Sequence, residues 1–189
     1  MDALMYVKVD LLNDSPLAIL QQLTDIAADG FAAKRERLPI LGAGSGSSEP
    51  QGLLDSGASI TEVAISATPT LTNILDFVSN IPQRYRSKAA LLMPSTTMFK
   101  VVQVLAENVR AASFLVGHLP PMKESSYVTE GKILGGDFSR YVVYHNLLMY
   151  LQVGDAPRKF SKEIAIVEKW DGQPTITDAF RIATGVTYT

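Results

Sequence analysis

The sequence contains no cysteine. That removes disulfides and thiolate metal sites from consideration and fits a product of a reducing compartment. No stretch approaches the roughly 20 apolar residues needed to cross a bilayer. Residues 1–12, Met-Asp-Ala-Leu-Met-Tyr-Val-Lys-Val-Asp-Leu-Leu, carry neither a basic n-region nor a continuous apolar stretch. A secretory signal is therefore not expected, and the product should stay in the cytosol or move only within something it builds. Charge of one sign is lacking as well: 17 basic and 19 acidic side chains leave a formal net charge of −2. No basic stripe announces sequence-specific nucleic-acid binding. The two histidines, His118 and His145, have no HExxH spacing, and no G-x-S-x-G elbow occurs, so two common hydrolase signals are missing.

What is present is ordinary for a folded domain. Of 189 residues, 47% are hydrophobic and 19% charged, enough for one sizeable core or a core with a satellite lobe. Tyr6–Leu11 alternates apolar and polar residues, the period of a half-buried strand. Ser15-Pro16 supplies a helix start, and Leu20, Leu23, Ala27 and Phe31 follow at helical spacing. This helix is expected over 16–38 and to stop at Pro39, with Lys34, Arg35 and Arg37 at its negative end. Residues 42–52 read as a flexible glycine- and serine-rich connection. Thr68-Pro69 opens a second helix carrying Leu71, Ile74, Leu75, Val78 and Ile81. Lys88–Met93 reads as a buried strand, and Pro94-Ser95 opens a third helix carrying Met98, Val101, Val102, Leu105 and Val109. From Phe114 onward short β-like runs dominate, split at Gly117, Pro120-Pro121, Gly135-Gly136, Gly154 and Gly172. They are Arg140–Tyr144, Leu147–Val153, Glu163–Trp170 and Ala179–Ala183. Helices first and strands later indicate an α+β fold.

Candidate chemistry is thin. A phosphate-binding loop needs a preceding strand and a closing Lys-Ser/Thr pair. The 42–52 loop follows a helix and closes on Glu49-Pro50. Asp137, Ser139, Arg140 and His145 could form a dispersed acid–base site, the one enzymatic reading available. At a Gly-Gly-Asp-Phe-Ser-Arg turn, however, Asp137 more often satisfies backbone N–H groups. Arg84, Arg86 and Lys88 around Tyr85 read as a solvated helix end, able at most to make modest, salt-sensitive phosphate contacts. Met93, Met98 and Met149 read as core. No catalytic, cofactor-binding or metal-binding residue is assigned.

An ordered set of segments goes further. It comprises Val-Asp-Leu-Leu-Asn-Asp-Ser at 9–15, the long helix, and Gly-x-Gly-x-Gly with Pro-x-Gly-Leu-Leu over 42–54. Next come a strand ending Leu-Met-Pro-Ser at 92–95 and Phe-Leu-Val-Gly-His-Leu-Pro-Pro at 114–121. Lys-Ile-Leu-Gly-Gly-Asp-Phe-Ser-Arg-Tyr at 132–141 and Asp-Ala-Phe-Arg-Ile at 178–182 complete it. Together they resemble the tailed-phage major capsid family, that of the Hong Kong 97 phage capsid fold. The resemblance implies a spine helix over 16–38, a peripheral domain from 1–90 with 150–189, and an axial domain from 90–150. It implies a structural, non-enzymatic subunit that builds pentamers and hexamers of a virion shell after synthesis in the bacterial cytoplasm. The implied partners are copies of itself, full-length capsid subunits, portal or scaffolding protein, and packaged DNA only non-specifically. A repurposed prophage fragment or an encapsulin-like shell component would share these segments. Family members usually carry an N-terminal arm and an extended loop ahead of the spine helix. Residues 1–14 resemble only the returning limb of that loop, which leads to the expectation of weak assembly in isolation.

Overall fold

The computed structural model describes residues 2–8, 16–66, 68–108, 119–156 and 161–186. In chain order its elements are β1 (Asp2–Lys8), α1 (Pro16–Leu41), β2 (Thr61–Ala64), α2 (Leu71–Asn80), α3 (Gln83–Arg86), β3 (Ala90–Met93), α4 (Ser95–Glu107), β4 (Met122–Glu124), β5 (Ile133–Gly136), β6 (Tyr141–Ala156), β7 (Ser161–Pro174) and β8 (Phe180–Thr184). Helices and strands mix as an α+β fold. The chain forms two compact units, each discontinuous in sequence: residues 1–38 with 143–172, and residues 39–142 with 173–189.

In the first unit, β7 lies between β1 and β6. β1 runs antiparallel to β7, with Asp2 opposite Val167 and Lys8 opposite Ser161. The helical stripe predicted from spacing is the packed one. Ala27 and Phe31 are buried against Ile164 and Ile166, with Ile19, Leu20 and Leu23 at the margin.

α1 does not stop at Leu38 as expected; it continues through Pro39 to Leu41. Proline costs the helix a hydrogen bond, but here only a few residues follow it. The carbonyls of Pro39 and Ile40 accept the N–H groups of Leu53 and Leu54, both at 2.9 Å. The terminal orphan acceptors are thus satisfied from outside the helix. Lys34, Arg35 and Arg37 therefore precede the last turn rather than forming it.

The 42–52 connection is also not the flexible link its composition suggests. Ala43 and Gln51 bridge antiparallel, Gly52 N–H donates to Gly42 O at 2.8 Å, and Gln51 Nε2 donates to Asp55 Oδ2 at 2.6 Å. A Cβ at Gly52 would lie 2.4 Å from Gly42 N. Glycine here permits close backbone approach.

The second unit is built on the mixed sheet β2-β8-β5-β3-β4. β2 and β8 are parallel, β8 and β5 antiparallel, β5 and β3 antiparallel, and β3 and β4 parallel. α2 starts at a capping box in which Thr70 and Asn73 satisfy each other's backbone N–H groups. This places the start at Thr70 rather than at the expected Thr68-Pro69. Its Ile74, Phe77 and Val78, the α4 residues Val101 and Leu105, and Leu91, Met93, Leu134, Phe180 and Ile182 of the sheet form one core. Gly135 matters to that core: a Cβ there would lie 3.0 Å from the Phe77 ring. The missing side chain is what lets Phe77 seat on β5.

Glycine is less disruptive among the late strands than its spacing suggested. The expected runs 140–144 and 147–153 are one strand, β6, which continues through Gly154, and β7 continues through Gly172. A strand glycine costs about 0.5–1 kcal/mol, which a continuous ladder outweighs.

Candidate functional site

The acid–base cluster suggested by the sequence is occupied by structural work. Asp137 is buried and caps the short turn at Phe138–Arg140. It accepts the Ser139 N–H at 3.1 Å and the Ser139 hydroxyl at 2.7 Å. Arg140 Nε lies 3.6 Å from the other carboxylate oxygen. His145 belongs to the first unit and faces different groups. Its Nδ1 is 3.8 Å from Glu168 Oε1, and its ring centroid is 6.3 Å from that of Trp170. His118 lies outside the described residues. Among the described residues no group of His, Asp and Glu side chains could hold a metal ion.

One polar centre was missed from the sequence. Glu168 is fully buried beneath α1, where Arg35 Nε donates to its Oε1 at 2.7 Å and Arg35 Nη2 pairs with the same oxygen. Arg35 is 45% exposed, so its stem packs while its far side meets water. The sequence signal was parity: Ile164, Ile166 and Glu168 share one face of β7, so a carboxylate sits in an apolar row. Its partner is 133 residues distant and could not be named from spacing.

The basic run is consumed locally. Arg86 donates to Ser79 O at 2.7 Å and to Ile81 O at 3.0 Å, closing the C-terminal end of α2. Arg84 stacks over Tyr85 at 4.6 Å and pairs with Asp178 at 3.2 Å. Hydrogen bonding from Arg181, its charge and that of Arg84 hold the Asp178 carboxyl below its ordinary value, against some desolvation. In the glycine-rich hairpin Glu49 Oε2 accepts the Ala43 N–H at 3.1 Å. An amide that a phosphate would need already faces a carboxylate.

What the described surface does offer is apolar. On α4, Thr97, Val101 and Leu105 face the core while Phe99 is 75% and Val102 44% exposed. At the start of β6, Val142, Val143 and Tyr144 are exposed in succession. Exposed large apolar groups in proximity mark interaction surfaces more often than chemistry.

Comparison with known proteins agrees in kind. The fold is similar to the capsid of the native GTA particle at 20% identity and a TM-score of 0.76, covering 99% of this chain and 72% of that one. It is similar to the capsid of Myoviridae phage XM1 at 12% identity and a TM-score of 0.68, covering 98% and 72%. It is also similar to a virus-like particle from Pyrococcus furiosus at 12% identity and a TM-score of 0.66, covering 97% and 75%. No curated protein matches the sequence. Residues 1–185 match the phage capsid family, and the chain belongs to that family.

Proposed function

We propose that this chain is a structural subunit of a phage or prophage icosahedral capsid and not an enzyme. It self-associates into pentamers and hexamers of the shell that encloses the genome. The carrying observation is the family match over residues 1–185. The local engagement of Asp137, Ser139 and Arg140 leaves the enzymatic reading without a site. The exposed Phe99 and Val102 of α4 favour self-association. Subunit contacts of about 800 Å² per partner would cover such a face.

The unit of residues 1–38 with 143–172 is best read as the peripheral domain, since it holds most of the long helix and the long strands. The unit of residues 39–142 with 173–189 is best read as the axial domain. These divisions fall at 38, 142 and 172, where sequence alone suggested 90 and 150. Copies of the chain are the principal partner. Full-length capsid subunits, portal or scaffolding protein and non-specific contact with DNA extend the same proposal. The workplace is the virion shell, with synthesis in the host cytoplasm.

Size-exclusion chromatography with light scattering, followed by negative-stain microscopy, tests this reading. Discrete ring or shell masses are expected, because closed symmetry gives defined stoichiometry. A monomer at every concentration and salt strength sinks it. A shell that holds something other than a genome is the second reading, favoured by the likeness to the Pyrococcus furiosus particle. Absorbance of particles recovered from producing cells separates the two by nucleic-acid content.

A further inference from the structure

We propose that the outer edge of β6 docks β6 of a second copy, the two strands pairing antiparallel about a two-fold axis. The proposal rests on self-association of the chain and identifies one contact by which copies meet. A sheet edge presents unpaired backbone donors and acceptors, and soluble proteins guard it with short strands, charges or proline. Of the four edge strands among the described residues, three are guarded. β1 is charged at both ends, by Asp2 and Lys8. β2 has four residues, Glu62 among them, and β4 has three, including Lys123 and Glu124. β6 runs for 16 residues. From Val143 to Ala156 its sequence holds one carboxylate, Asp155, and no lysine, arginine, glutamate or proline. Val143 is 42% and Tyr144 67% exposed. An edge so long and so bare of charge invites a partner strand.

The composition of the edge selects the occupant. A charge-poor strand offers little to an acidic or basic peptide. A second copy of β6 meets it without repulsion, because in any overlap centred before Asp155 that carboxylate faces no second carboxylate. An overlap of ten residues forms about ten backbone hydrogen bonds, the number a typical stable interface carries. Pairing consumes both β6 edges and leaves only the charged β1 edges outside, so the contact closes as a dimer. Rings of five or six close about their own axes, so a two-fold contact joins one ring to the next. Hydrogen-bonded and non-hydrogen-bonded pairs alternate along an antiparallel ladder. Neighbouring pairs are therefore unlike, and the axis must pass where one residue faces its own copy.

The absence of cysteine makes the test clean. Single cysteines are placed in turn at residues 146–153 of the full chain and oxidised mildly. Residues facing each other lie about 4.5–5.5 Å apart at Cα, within disulfide reach, whereas a residue two places from the axis lies about 14 Å from its copy. One position should therefore give disulfide-linked dimer, with the yield lost on both sides of it. In the unmodified chain, hydrogen exchange by mass spectrometry covers variants that fail to fold. Amides of 143–156 should gain protection as concentration rises, because outward N–H groups become paired. V143K/Y144K gives β6 the guard its counterparts have. It should keep the parent's circular dichroism, lose the added protection and fall in mass by light scattering. Oligomers without β6 protection, or V143K/Y144K that assembles as the parent does, overturn the proposal and leave the capsid reading standing. Protection of β6 with no peaked cross-link among folded variants assigns the edge to another segment of the neighbour and overturns the two-fold pairing. A chain monomeric at every concentration sinks both readings.

Discussion

A buried carboxylate that accepts two hydrogen bonds from the residue two positions on is a capping device first. At Asp137 the expected outcome of substitution follows from that role. Asp137→Ala removes the acceptor for the Ser139 N–H and should cost about 1–2 kcal/mol, the usual cost of a lost cap. Asp137→Asn keeps an acceptor oxygen and should recover most of the loss; urea midpoints of the two variants check this. Asp178 makes a different, pH-dependent prediction. Its folded carboxyl titrates below its ordinary value because Arg181 and Arg84 favour the charged form. The unfolded chain therefore binds the proton more readily, and this stabilisation is present above about pH 4 and fades as pH falls through the folded value. The side chain is half exposed, so solvent screens the effect. Asp178→Asn should lower the melting temperature at pH 7 by about 1–3 °C, and the gap should narrow progressively as pH falls from about 4 through the folded value. A gap that stays the same size at every pH at which the protein remains folded would show that the carboxylate charge is not the cause. Residues such as these were partly legible beforehand. The capping role of Asp137 follows from a local turn motif, whereas Glu168 needed a partner on a helix far away in the chain.

At the scale of elements, α4 carries two faces with separate tasks. Thr97, Val101 and Leu105 hold it to the sheet of its own unit, and Phe99 and Val102 point away. Phe99→Asp with Val102→Asp should leave subunit stability within about 0.5 kcal/mol, as for other surface changes. Assembly should nevertheless fall to the smallest species seen by light scattering, because charge placed in an apolar contact is desolvated without a partner. Undiminished particle formation would move the contact elsewhere, with Val142–Tyr144 the next face to test. The elements themselves show which signals are local. Helix existence and the α1 stripe came from periodicity, and the strand expected over Lys88–Met93 and found at Ala90–Met93 came from a short apolar run; each segment carries these signals on its own. The extension of α1 beyond Pro39 did not, because it depends on Leu53 and Leu54 supplying donors from the following hairpin. The fusion of two β-like runs into β6 did not either, because a ladder with β7 overrides the local cost of Gly154. Composition likewise misjudged residues 42–52, whose order comes from cross-loop bonds and not from residue type.

On the scale of the whole molecule, the chain passes between its two units three times, after residues 38, 142 and 172. Each passage falls inside a regular element: α1, β6 and β7 respectively. No passage is a polar linker of the sort that normally lets domains unfold apart. The second unit also depends on its last segment. β8 is an interior strand of the five-stranded sheet, between β2 and β5, and it brings the buried Phe180, Ile182 and Ala183 to the core. A fragment of residues 39–142 thus lacks an interior strand, leaves β2 without its ladder partner, and should be unfolded by circular dichroism. Adding a peptide of residues 173–189 should restore structure, since the missing strand supplies both backbone donors and apolar area. By the same reasoning the intact subunit should melt in a single transition, with calorimetric and van't Hoff enthalpies equal. Two separated transitions, or a fragment 39–142 that folds without its complement, would show that unit boundaries outweigh the continuity of α1, β6 and β7.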